Sequence, residues 1–170
     1  MLIRSIKIDA FPRGHVIRMT PRAADRTDAT LLRQLIRSPA ATIVALAEAT
    51  GLARNTVRSR LDRYERDGVL RSLERRVDPA FLGYPLGAYI LTRVTQRKLD
   101  SVGVELAGIP EVIEVLGLSG VSDLLIRVAA RDTDDLYRIA GRILDVDGVK
   151  RTSTGLVMRE MVPYRVAQLL

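Results

Sequence analysis

Between residues 46 and 68 the chain reads LAEATGLARNTVRSRLDRYERDG, five arginines set around an apolar skeleton. Guanidinium groups, amides and hydroxyls are the side chains that read base edges and grip phosphates. At helical spacing Val57, Leu61 and Tyr64 share one buried stripe, which leaves Arg54, Asn55, Thr56, Arg58, Ser59 and Arg63 on the outer arc or at the N-terminal tip. The chemistry on offer is recognition of double-stranded DNA, with the start of the helix in the major groove. A good bidentate base contact there is worth about 1–3 kcal/mol of discrimination. The plainer alternative is a three-helix core whose arginines are solvated or paired with Asp62, Glu65 and Asp67.

Charge distribution favours the first reading. Residues 1–80 hold 16 Lys+Arg against 9 Asp+Glu, whereas residues 81–170 hold 11 against 11, so one half carries the whole formal charge of +7. A basic half joined to a neutral half suggests a polyanion-binding module joined to a sensing or assembly module. Other chemistry is poorly supported. No cysteine is present, which excludes disulfides and thiolate metal sites and fits a reducing, cytoplasmic setting. His15 is the only histidine. No G-x-G-x-x-G, P-loop, G-x-S-x-G or H-E-x-x-H pattern occurs, and DVDG lacks the rest of a calcium loop. No catalytic residue, metal or cofactor is expected. No apolar run approaches the roughly 20 residues that span a bilayer, and no secretory pattern opens the chain, so no membrane partner is expected either.

The elements that must position the arginines follow from periodicity. Residues 1–24 show no helical period and read as a tail or one short strand around Ile6 and Ile8; Met19 is an alternative start. From Asp28, Leu31, Leu32, Leu35 and Ile36 fall on one helical face, with Asp28 as the expected N-cap and Ser38-Pro39 as the stop. Thr42 caps a second helix through Ile43, Val44, Leu46 and Ala47, ended by Gly51 in a left-handed turn. The third runs from about Arg54 to Asp67, with Gly68 beyond. Ala47 and Gly51 stand where a helix-turn-helix needs a small contact residue and a turning glycine. VLRSLERRVDP then reads as a hairpin or wing, on which Arg75 and Arg76, with Arg33 and Arg37, are further phosphate candidates. FLGYP reads as a linker.

The domains expected are residues 25–80 for DNA binding and 81–170 for a second unit. In the latter, LGAYILTRV, EVIEVLGL, DLLIRVAA and VKRTSTGLVMREMVP read as strands. RKLDSVGVELAGI and DTDDLYRIAGRILD read as helices, the second capped by Asp132. The order βαββαβ is the ferredoxin-like plan, a four-stranded antiparallel sheet with both helices on one face. The fold class is thus α+β, a winged helix-turn-helix followed by a βαββαβ domain. The sheet's other face needs a cover, and a second subunit is the simplest one.

DRTDATLLRQLI, IVALAEATGLARNTVRSRLDRYERDGVL, DPAFLGY, GLSGVSDLLIRV and DGVKRTSTGLVM, in that order and spacing, resemble the Lrp/AsnC (leucine-responsive/asparagine-operon regulator) family of transcription factors over roughly residues 25–165. The resemblance implies a homodimer, assembling further to tetramers or octamers, and an amino acid or related metabolite as effector. That effector would lie between subunits at the turn Ser119, Gly120, Val121, Ser122 and Asp123. Backbone amides near Gly120 would take a carboxylate and Asp123 or a serine an ammonium, with Thr152 and Thr154 of a neighbouring subunit completing the pocket.

Three departures from the family pattern stand out. Ala53 replaces the usual capping serine, Val121 and Ser122 replace an acidic and an aromatic residue, and the basic stretch before residue 25 lies outside the pattern. Two other functions share the architecture. One is an architectural DNA-binding protein of low sequence specificity, which differs in selectivity rather than surface. The other is a sirohaem-decarboxylase-like enzyme, which needs histidines and a cationic pocket that residues after His15 do not offer.

Overall fold

Asp25, three residues earlier than expected, caps the first helix of the computed structural model, which describes residues 23–170. The tail, its expected strand and His15 lie outside the described residues. Asp25 accepts from the Asp28 backbone N–H at 2.8 Å, and Asp28 accepts from the Asp25 N–H at 3.1 Å, a reciprocal capping box. Helix α1 (Arg26–Arg37) then carries Leu31 into the core. Helix α2 (Ile43–Thr50) starts where expected, the Thr42 hydroxyl accepting from the Ala45 N–H at 3.2 Å. It ends at Gly51, whose φ of +71° is one that side-chain-bearing residues rarely adopt. Helix α3 (Arg54–Arg66) begins at Ala53 with no side-chain cap. Leu31, Leu46, Ala47, Val57 and Tyr64 form the buried centre of this three-helix head.

The expected hairpin is absent from the described residues 69–78. The N–H groups of Val69 and Leu70 both return to the Tyr64 carbonyl, at 2.8 and 3.4 Å, folding the chain back onto the end of α3. Leu73–Arg76 then form one 3-10 turn in place of a strand. A second such turn, Pro79–Leu82, is capped by Asp78 and closed by Gly83.

Strands β1 (Leu86–Val94), β2 (Val112–Gly117), β3 (Leu124–Ala130) and β4 (Val149–Leu156) and helices α4 (Leu99–Ala107) and α5 (Thr133–Leu144) follow in the order βαββαβ. The sheet order is β2-β3-β1-β4, every neighbouring pair antiparallel. Alternation along β1 sends Ala88, Ile90, Thr92 and Val94 inward and leaves Tyr89, Leu91 and Arg93 outward. The inward face packs with Val102 and Leu106 of α4 and Leu136, Ile139 and Ile143 of α5 in one apolar cluster. Among the described residues of the sheet unit, nothing is layered over the outward face; Tyr89 and Leu91 are both exposed there, and Leu91 lies opposite Leu125.

β4 is shorter than its sequence suggests. Val157 makes one last bond to the Gly87 carbonyl at 2.9 Å, and β1 starts at Leu86 just after Pro85, so the strand has no further partner. The chain divides into two compact units, one of the described residues up to Leu73 with Val162–Leu170, the other Glu74–Met161. The division therefore falls before the expected boundary at residue 80, because Glu74–Arg76 and the second 3-10 turn belong with the sheet, and the last nine residues return to the head.

Candidate DNA-binding helix and effector turn

Tyr64, Arg60 and Arg63 of α3 converge on a single carboxylate of α1. Asp28 is 3% exposed and its Oδ1 accepts from the Tyr64 hydroxyl at 2.6 Å, Arg60 at 2.5 Å and Arg63 at 2.6 Å. Arg60 also reaches Asp25 at 2.8 Å. Burial alone would raise the Asp28 pKa, but hydrogen bonds from Tyr64, the Asp25 amide and Arg60 outweigh it and hold the carboxyl at about 2. The Tyr64 hydroxyl is pushed up by its burial and by the carboxylate it donates to. A buried carboxylate with four donors fixes the rotation of α3 about its own axis.

That rotation separates the arginines into two sets. Arg54, Asn55, Arg58 and Ser59 are exposed and Thr56 is half-buried, as the stripe of Val57 and Tyr64 requires. Arg54 and Arg58 have no ion-pair partner among the described residues. Arg63 was expected on this outer arc and belongs instead to the Asp28 cluster; it sits one helical turn before Asp67, on the flank that faces α1. Arg75 was expected on a wing and instead forms an ion pair with Glu114 of β2 within the second unit. Arg76 is exposed, and Arg33 donates to the Leu170 carbonyl.

In the connection from β2 to β3, Ser119, Gly120 and Val121 are exposed and Ser122 is half-buried. Gly120 has a φ of +129°, a region natural to glycine alone. Asp123 behaves differently from its neighbours. Its Oδ2 accepts from the Val94 N–H at 2.9 Å and its Oδ1 from Gln96 Nε2 at 2.7 Å, while its backbone bridges Thr92 and Leu118. It ties the turn to the end of β1. Thr152 lies in the same row across the sheet as Thr92 and Leu124, about 10 Å from the start of β3 by strand spacing, and Thr154 lies two residues further along β4. The two threonines are not brought to the turn within one chain.

Comparison with known proteins gives two matched regions: residues 25–71 match a winged helix-turn-helix DNA-binding family, and residues 87–167 match the Lrp/AsnC ligand binding domain. The HTH-type transcriptional regulator AldR of Mycobacterium tuberculosis is 31% identical over 145 residues, 83% of this chain and 81% of that one. The chain belongs to the Lrp/AsnC family. The HTH-type transcriptional regulator FL11 of Pyrococcus horikoshii is 28% identical over 135 residues, 79% of this chain and 89% of the relative. A feast or famine regulatory protein from M. tuberculosis, solved in complex with L-methionine, superposes with a TM-score of 0.74 at 26% identity, covering 85% of this chain and 98% of that one.

Within this Lrp/AsnC chain, sequence reasoning missed Arg60 and Gln96. Arg60 was legible only as one more arginine of α3, since nothing local reveals that Asp25 and Asp28 lie across from it. Gln96 follows β1 directly, but its partner Asp123 is 27 residues away. Among the described residues of the regulator, no helix is long and apolar enough to cross a membrane.

Proposed function

We propose that the exposed N-terminal half of α3 is the DNA-reading surface, with Arg54, Asn55, Thr56, Arg58 and Ser59 facing base edges and phosphates. The observation that supports this is the division of the arginines: Arg60 and Arg63 are tied to Asp28, while Arg54 and Arg58 stand free on the opposite arc of the same helix. Exposed Arg76 adds a phosphate contact outside the helix. The protein acts in this reading as a sequence-specific transcriptional regulator in the cytoplasm rather than as an enzyme.

A second copy covers the outward sheet face, where Tyr89, Leu91 and Leu125 meet Arg127 and Leu116. The homodimer then places two recognition helices on successive major grooves of a pseudo-palindromic site. The effector is an amino acid at the turn Ser119–Ser122, held by backbone amides around Gly120, with Thr152 and Thr154 of another subunit nearby. The L-methionine complex of the M. tuberculosis relative supports that ligand class. Such a ligand changes DNA binding only if it binds one assembled arrangement better than another.

The test is binding of the purified protein to DNA from upstream of its own gene and to scrambled DNA, at moderate salt, with and without a pool of amino acids. A preference for the native DNA that the pool alters is the expected result. Equal, salt-sensitive binding to both would indicate an architectural DNA-binding protein instead.

A further inference from the structure

At one end of the sheet, β1 and β4 set two arginines directly opposite each other: Arg93 faces Arg151, and both are exposed. Like charges at such a position repel and weaken the strand pair. The register slips beside them, where Val94 faces Val149, and the inserted residue is Lys150, a third exposed cation. None of the three has an ion-pair partner among the described residues, although nearby Lys98 is neutralised by Asp147. Three cations beside the single carboxylate of Asp123 leave a net positive charge, and the missing component is an anion.

The geometry also sets the anion's size and kind. Arg93 and Lys150 line a recess of about 290 Å³ with Val94, Gln96 and Asp123. That volume lies just below the usual range for small-molecule sites, and the recess is half open to solvent, so it suits a compact ligand. Asp123 is the one carboxylate in the lining, and each of its oxygens already accepts a hydrogen bond, from Val94 and from Gln96. Both donors are neutral, so Asp123 keeps its charge and offsets one of the three cations, which leaves two positive charges for two carboxylates. Arg93 offers a planar fork and Lys150 a mobile point charge.

We propose that this recess binds a small dicarboxylate, one carboxylate on Arg93 and the other on Lys150, with Asp123 offsetting the remaining positive charge. The site deepens the effector reading: ligand binding there stands on the recess alone, while its regulatory consequence rests on the second unit being a metabolite sensor.

The experiment uses the full-length protein with succinate and glutarate as probes, against L-methionine and inorganic phosphate at matched ionic strength. Calorimetry and thermal shift read binding, and DNA affinity is read in parallel. Succinate or glutarate is expected to bind more tightly than phosphate, with at least a tenfold loss in Arg93→Gln and in Lys150→Gln. Arg93→Gln should leave the ligand-free melting temperature unchanged or higher, since it removes the like-charge contact, so a fold defect would be visible as a fall. No dicarboxylate binding at about 10 mM, binding equal to that of phosphate, or binding unchanged in both variants would overturn the site. L-methionine binding that persists in Arg93→Gln, without dicarboxylate binding, would overturn it while leaving the amino-acid effector standing. Arginine-dependent dicarboxylate binding that leaves DNA affinity unchanged would support the site and remove the effector reading. A fall in DNA affinity in both variants with no dicarboxylate binding would overturn the site in favour of a DNA contact.

Discussion

The head and the sheet unit are held together by different physics. Five buried apolar or aromatic residues make up the centre of the head, and a charged carboxylate, Asp28, is buried beside them. The sheet unit buries thirteen residues in one apolar cluster drawn from all its layers. Its one buried carboxylate, Glu111, sits at the rim under Arg138 and Arg142. Apolar burial is indifferent to direction, whereas hydrogen bonds to a carboxylate demand it. The head thus spends its buried charge on orienting α3, and the sheet unit relies on area. A small domain whose helix must present particular side chains to DNA gains more from fixed rotation than from extra burial.

Asp28 carries the largest expected difference between the two units. Asp28→Asn at neutral pH should destabilise the head by about 3 kcal/mol, because Arg60 and Arg63 lose the charge that balances them. Amide hydrogen exchange should show protection falling across 26–66 and holding across 86–130; equal loss in both units would deny that the cluster belongs to the head alone.

Acid probes the same cluster with a smaller effect. The Asp28 pKa is depressed to about 2, so its contribution is complete above the ordinary carboxylate value near 4 and is lost as pH falls towards 2. That loss amounts to about 2 kcal/mol. Glu111 is shifted in the same direction, burial being outweighed by its bond from Arg138, so the sheet unit also weakens in acid. Exchange protection measured between pH 5 and pH 2 should fall in the head of wild type, and the fall should be blunted in Asp28→Asn.

Two single-residue changes sharpen the contrast from the stabilising side. Ala53→Ser supplies the missing cap of α3 and should stabilise the head by about 1 kcal/mol in urea denaturation. Thr92 is fully buried in the sheet core with a hydroxyl that has no hydrogen-bond partner. Thr92→Val should therefore stabilise the sheet unit by about 1 kcal/mol or less. A loss of stability there would mean that the hydroxyl has a partner in solution.

What could be read from sequence was what is decided locally. Thr42, Gly51 and the uncapped Ala53 stand where composition and spacing placed them, as do the first three strands, the start of β4 and Asp132 at the start of α5. Each of these is set by residues within one turn or one strand. The errors came where a distant partner decides. Asp25 and Asp28 both precede the same apolar run, so either qualified as the cap until the position of Arg60, across the head, gave Asp28 another role. Arg63 has the same composition signal as Arg58, and only the packing of α3 on α1 tells a tied guanidinium from a free one. The residues after Gly68 alternate as a strand does, yet an alternating run forms a strand only where another strand is free to pair, and here the chain folds back to Tyr64. The family resemblance carries Asp123 into the effector turn as a ligand group, and the distance in sequence hides its bonds to Val94 and Gln96.

Division of labour along α3 would show in melting temperature and affinity for native upstream DNA, measured for Arg58→Ala and Arg60→Ala side by side. Arg58→Ala should lose at least about tenfold in affinity, the low end of one good base or phosphate contact, with the melting temperature unchanged. Arg60→Ala should lower the melting temperature. If Arg58→Ala bound DNA as the wild type does, or if it melted as early as Arg60→Ala, the free and tied arginines would not be doing different jobs and the account would be contradicted.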